Sequence, residues 1–312
     1  MKHWMLALLC AVGVLVRAEP TNGPVEVIAL VGGSPFVAAD QAGHLETLLV
    51  LRDPSHRRTL RSFAWEGDTV FSRPRPLNFP SLSQQLLQQR VGLALVQFGQ
   101  MESLAGADGL AEFREAYARL VAGIQRTVPR VILLTPTPFG AAGPIDAATA
   151  RDRNAVLALY AQAIVDVARL LHVPAIDLFA GLGGGGPGPF RETLDGVQLT
   201  DAGHREVARM VSRRDLDKSG EALPLLPEAT WDAAVMEKVR EAVVHKNRLW
   251  FRYWRPTNWA FLAGDRTDQA SSRDHRDRSI RWFPKEMEEF VPLIDSADAE
   301  IRRRATAPEG TR

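Results

Sequence analysis

Asp195-Gly196-Val197-Gln198 sets a carboxylate three residues before a carboxamide. With histidine in the last position, this spacing is a common way to build a general base held in place by an acid. A carboxamide takes no proton near neutral pH, so Gln198 cannot activate a nucleophile, although it can donate and accept hydrogen bonds. Three more stretches combine glycines with polar or reactive side chains: Gly32-Gly33-Ser34, Trp65-Glu66-Gly67-Asp68 and Gly99-Gln100-Met101-Glu102-Ser103. A serine hydroxyl such as that of Ser34 becomes a nucleophile only when a base takes its proton.

The elements around these stretches follow one rule. Val25 to Val31 and Gly92 to Phe98 are short apolar runs of the kind found in buried strands, Arg58 to Ala64 alternates, and Val131 to Leu134 and Val173 to Leu178 add two more strands. Helical patterns fall between them: His44 to Leu51, Ser81 to Gln89, Leu110 to Val128, Asn154 to Leu171 and Thr200 to Val211. The stripes Phe113, Tyr117, Leu120, Ile124 and Leu157, Tyr160, Ile164, Val167 mark the buried faces of the two longest. Strand and helix alternating at this spacing mean crossover units, hence a parallel sheet covered on both faces. Sites in such sheets form in loops at the carboxyl ends of strands, which is where the four stretches lie.

The four blocks, in this order on an α/β chain, resemble the SGNH/GDSL hydrolase family. AWEGDTV is similar to that family's second block, and VPAIDLF followed by DGVQLT to its last strand and final block. The resemblance spans about residues 25–212. It implies a three-layer, flavodoxin-like α/β sandwich with a parallel sheet, and ester hydrolysis. It puts Ser34 in the nucleophile position if Gly32-Gly33-Ser34 stands for Gly-Asp-Ser. A register anchored on Gln41 to Leu49 instead puts Pro35 there, and a turn serine capping the next helix is the plainer reading. Gly67 falls at a backbone oxyanion donor, Asp195 at the orienting acid.

Two positions depart from the family pattern. Met101 stands where the resemblance calls for Asn, and a thioether donates no hydrogen bond to an oxyanion. Gln100, one residue earlier, carries an amide, but the loop pitch points it elsewhere; Met101 itself reads as a packing residue. Gln198 stands where the base belongs. His204, six residues on, is the nearest replacement; His44 is a poorer one, and His56, His172, His245 and His275 lie away from the site face. No His or carboxylate pair has metal-ligand spacing on one helix, and no phosphate loop is present, so neither metal nor cofactor is expected.

With 38 Lys+Arg against 37 Asp+Glu, the chain lacks the basic bias of nucleic-acid binders. Lys2, His3 and the apolar run Trp4 to Val16 read as a signal peptide, with Val16-Arg17-Ala18 as its cleavage site. The single cysteine, Cys10, lies inside that run; a lipoprotein reading of it fits the motif poorly because Leu9 precedes it. Cleavage after Ala18 leaves a mature chain with no disulfide or thiol chemistry. No later segment is apolar enough to cross a membrane.

Three regions result: a signal peptide (1–18), an SGNH-like domain (19–214), and a linker with a C-terminal helical, aromatic-rich extension (215–312). In the extension, Trp231 to Lys246 and Glu286 to Arg304 read as helices, with a polar loop from Asp265 to Ser279. The run NRLWFRYWRPTNWAFLAG between them reads as a segment that buries its rings on the main domain; a sugar-stacking surface with Arg252 and Arg255 is the alternative. The functional expectation is an exported protein, its hydrolytic site degenerate, that binds a glycan or small ester-like ligand in a cleft lined by Ser34, Gly67, Gln100, Met101, Asp195 and Gln198. The alternative is an active carboxyl-ester hydrolase of carbohydrate-deacetylase type using Ser34 and a base such as His204. Any protein partner is left open.

Overall fold

The computed structural model describes residues 25–306 apart from 187, 189, 219 and 221. The signal-peptide reading and Cys10 lie outside them. A five-stranded sheet in the order β2-β1-β3-β4-β5 is parallel throughout: β1 (Glu26–Gly32), β2 (Arg58–Ser62), β3 (Val91–Gln97), β4 (Arg130–Leu134) and β5 (Ala175–Ile176). Helices cover both faces, which makes this the α/β sandwich the alternation implied.

On one face, Leu30, Leu93, Leu95 and Leu134 pack against α1 (Ser34–Ala42), α2 (His44–Arg52) and α7 (Asp201–Ser212). On the other, Val31, Ala94 and Leu133 pack against α4 (Leu110–Gln125) and α5 (Ala147–Leu170). Both faces of the central strands are buried, so their sequences are apolar runs without alternation. α3 (Leu82–Gln88) opens on a capping box between Ser81 and Gln84.

Three elements differ from their sequence patterns. α5 begins at Ala147, before the apolar stripe starts, because the Asp146 side chain accepts from Thr149 N–H and caps the extra turns. β5 stops at Ile176, because Asp177 caps the short α6 (Leu178–Gly181). In β2, polar and charged residues flank Leu60, yet all five residues are buried.

The cover over β2 comes from beyond residue 214. α8 (Ala233–Trp254) runs into the aromatic stretch as far as Trp254, and α10 (Trp282–Thr306) packs on it; α9 (Trp259–Leu262), later in the same stretch, lies between them in the chain. β2 is an edge strand whose outward carbonyls need partners. Lys246 Nζ donates to Leu60 O at 2.8 Å, and Trp250 Nε1 to Ser62 O at 2.8 Å. Lys246 is fully buried and also bonds Glu46 of α2 at 2.6 Å, while Arg61 of β2 pairs with Asp298 of α10 at 2.5 Å. Trp250 and Trp254 meet Phe63 edge-to-face, each with centroids 5.7 Å apart. These rings are buried, so they form no outward sugar platform. Arg255 likewise is turned inward, onto the Trp65 ring at 3.9 Å and Glu66 at 2.8 Å.

Candidate active site

Ser34 is the first residue of α1, directly after β1, with its side chain exposed. Pro35 follows within the first turn, where its missing N–H costs nothing. The loops after β1, β2 and β3 converge there: Gly33, Ser34, Gly67, Gln100 and Met101 line one small cleft of about 20 Å³. That volume admits about one water-sized group. Gly67 sits at φ +80° with open space over its α-carbon. Neither the Ser34 nor the Gly67 backbone N–H is donated to any described acceptor. Two free donors on one cleft, one of them at a helix N-terminus, suit a carbonyl oxygen that gains negative charge.

The loops are held from behind. Glu102 is buried and accepts from Val70 N–H at 2.9 Å and Gly99 N–H at 2.8 Å, tying the β2 loop to the β3 loop. Asp68 is clamped by both Arg75 nitrogens at 2.7 and 2.6 Å. Trp65 carries two guanidinium groups, Arg75 at 4.4 Å and Arg255 at 3.9 Å from its centroid. Sequence reasoning missed Glu102 and Asp68 as supports, because their partners lie on other loops.

The two departures from the family pattern have definite placements. The Gln100 amide is buried and donates to Thr137 O at 3.0 Å, so it is turned away from the cleft mouth. Met101 is 49% exposed on the rim, which corrects its reading as a packing residue. It directly precedes the 3-10 turn Glu102–Ala105.

Asp195 and Gln198 lie on a turn before α7, outside the lining of the Ser34 cleft. One Asp195 oxygen accepts from Val197 N–H at 2.9 Å and from Gln198 N–H at 2.8 Å. These backbone bonds, Gln198's first, hold its carboxyl below the usual range. The Gln198 side chain is exposed. Gly196 sits at φ +89°, and a Cβ there would come within 2.7 Å of Ile145, so the turn requires glycine.

His204 lies on α7, in a crevice with Pro35, His44 and Leu199 on the other side of Pro35 and Gln97 from the cleft. It makes no hydrogen bond to Ser34. Burial, then the neighbouring His44, holds its imidazole below the ordinary value, with Asp201 opposing. Asp201-Ala202-Gly203-His204 repeats the Asp-x-x-His spacing within the helix, a signal the sequence reading passed over. Asp201, however, is bound by His44 Nε2 at 2.7 Å instead.

Far from these loops, Glu26, His56 and Asp217 place one ligand atom each within 4.8 Å of one another. Arg58 bonds both carboxylates and Arg130 bonds Glu26, so that cluster is already neutralised.

A GDSL-like lipase/acylhydrolase family model matches residues 32–206, more than half of the chain, and the chain belongs to that family. Similar solved structures include an acetyl xylan esterase (18% identity; 59% of this chain, 97% of that one; TM-score 0.45). Another is the lipase/acylhydrolase from Enterococcus faecalis (20%; 61% and 94%; 0.46). A third is a catalytic mutant of an acetylxylan esterase from Geobacillus stearothermophilus (16%; 60% and 93%; 0.43). No curated protein matches the sequence.

Proposed function

We propose that this protein is an exported, catalytically degenerate member of the family that binds a small ester-like ligand, acylated glycans included, in the former active-site cleft. The observation that carries this reading is the environment of Ser34: a hydroxyl on a cleft with two free backbone N–H donors and no imidazole bonded to it. At the expected base position, Gln198 offers only a carboxamide, and one Asp195 oxygen is taken by the Val197 and Gln198 backbone N–H groups. Losing the base removes activation of the serine, and losing one oxyanion donor at Met101 costs a further factor of about 10²–10³ in rate. What is kept is a seat for one carbonyl oxygen, with the rest of the ligand lying over Gly67 and Met101.

Export rests on the N-terminal pattern, and N-terminal sequencing of secreted material beginning at Glu19 is its check. Among the described residues no helix is long and apolar enough to cross a membrane. The functional test pairs turnover with binding. Wild type and Ser34→Ala should hydrolyse p-nitrophenyl acetate at the same background rate, while acetylated oligosaccharides bind wild type and lose affinity for a Met101→Trp variant that covers the cleft. Ser34-dependent turnover would overturn the reading.

The second reading is an active ester hydrolase with His204 as base. It draws on one observation: His204 lies beside Pro35, the residue after Ser34. His204→Ala distinguishes the two, since it should abolish turnover only under this second reading.

A further inference from the structure

A second cavity, of about 340 Å³, lies between α1, the end of β2 and α8, and shares no residue with the Ser34 cleft. That is the size of a small-molecule site. Its floor carries two acceptors without partners. Asp40 is 9% exposed and Asn247 5% exposed, and neither Oδ1 has a hydrogen bond among the described residues. The Asn247 amide is fixed, because its Nδ2 donates to Asp40 O at 2.7 Å and a flipped amide would lose that bond.

Nearby cations do not satisfy Asp40. Lys246 is turned to Glu46 and Leu60 O, and Arg61 to Asp298. Burial pushes the Asp40 carboxyl up to about 7, with Glu46 adding and Lys246 and Arg61 opposing. A buried carboxyl left unpaired is costly, and a donor placed on it would recover that cost. Phe251, Trp254 and Val244 wall the cavity. Arg248 and Arg252, one turn apart on α8, are exposed at its edge with no partner among the described residues.

We propose that this cavity binds a small amino acid, its primary ammonium on Asp40 and Asn247 and its anionic group toward Arg248 and Arg252. A simple amine would add a cation beside Lys246, Arg61, Arg248 and Arg252. A simple anion would leave both floor acceptors unpaired. A zwitterion answers both ends. Asp40 lies inside the segment matched by the family model, but Asn247, Arg248 and Arg252 on α8 lie outside it, and the site stands apart from the reading of the Ser34 cleft.

The test is calorimetric titration at neutral pH with glycine, β-alanine, 4-aminobutanoate and 5-aminopentanoate, with n-butylamine and butanoate as single-charge controls. At least one zwitterion should bind saturably and about tenfold or more tighter than either control, the gain of one charge-assisted contact at each end. Asp40→Asn, with folding checked by circular dichroism, should weaken it by about tenfold or more. Arg252→Ala, an exposed change that leaves the core intact, should also weaken it. No saturable zwitterion binding, equal binding of a control, or unchanged affinity in both variants would overturn the proposal.

Discussion

Lys246→Met tests how the C-terminal helices are joined to the sheet. Lys246 is fully buried, and its ammonium bonds Glu46 at 2.6 Å and Leu60 O at 2.8 Å. Methionine keeps the stem and removes the charge, leaving Glu46, itself 2% exposed, as an uncompensated buried carboxylate. Breaking one partner of a buried pair costs about 3–5 kcal/mol. At about 2.1 cal/mol/K per residue of unfolding entropy, that lowers the melting temperature of a chain this size by roughly 5–8 °C. Adding Glu46→Gln removes the stranded charge while an amide oxygen can still accept from Leu60 N–H, a bond of 3.1 Å in the wild type. The double variant should recover at least about half of the loss, which urea titration of all four members of the cycle would read. A single-variant cost under about 1 kcal/mol, or no recovery in the double, would refute the buried-pair reasoning.

Asp40→Asn should change how stability depends on pH. With a folded pKa of about 7 against an ordinary value near 4, wild type holds a proton that the unfolded chain has lost, so its stability falls as pH rises through that window. The variant lacks this slope; its advantage in melting temperature should open between about pH 4 and pH 7 and stay level above. Gly196→Ala should cost about 1–3 kcal/mol in a denaturant titration, because alanine is strained at φ +89° and its Cβ meets Ile145. Met101→Asn with Gln198→His should gain Ser34-dependent hydrolysis of p-nitrophenyl acetate, and Gln198→His alone should be slower than the pair by about 10²–10³. A double variant no faster than wild type would show that position 198 is not where a base is missing.

The parallel sheet was legible because its central strands are buried on both faces and its helices carry clear apolar stripes. The blocks at Ser34, Gly67 and Met101 were legible as a cleft because topology puts the loops after the neighbouring strands β2, β1 and β3 together at the carboxyl end of the sheet. The rest depended on contacts between distant segments. Nothing local in Arg58 to Ser62 says that α8 and α10 bury it, and nothing near Gln100 says that Thr137 O takes its amide. Lys246 and Asp40 read as ordinary surface charges until α8 is laid against α1 and α2. The helix through Trp254 was hidden because tryptophans and arginines crowd its last turns, although both buried tryptophans lie four residues apart on one face.

The proposed function stands or falls on whether Ser34 is activated. Labelling with a fluorophosphonate probe, read by intact mass on folded wild type and Ser34→Ala, measures this directly. An unactivated Ser34 leaves both proteins without an adduct. A single adduct on wild type that disappears in Ser34→Ala would contradict the proposed function and establish a working serine hydrolase.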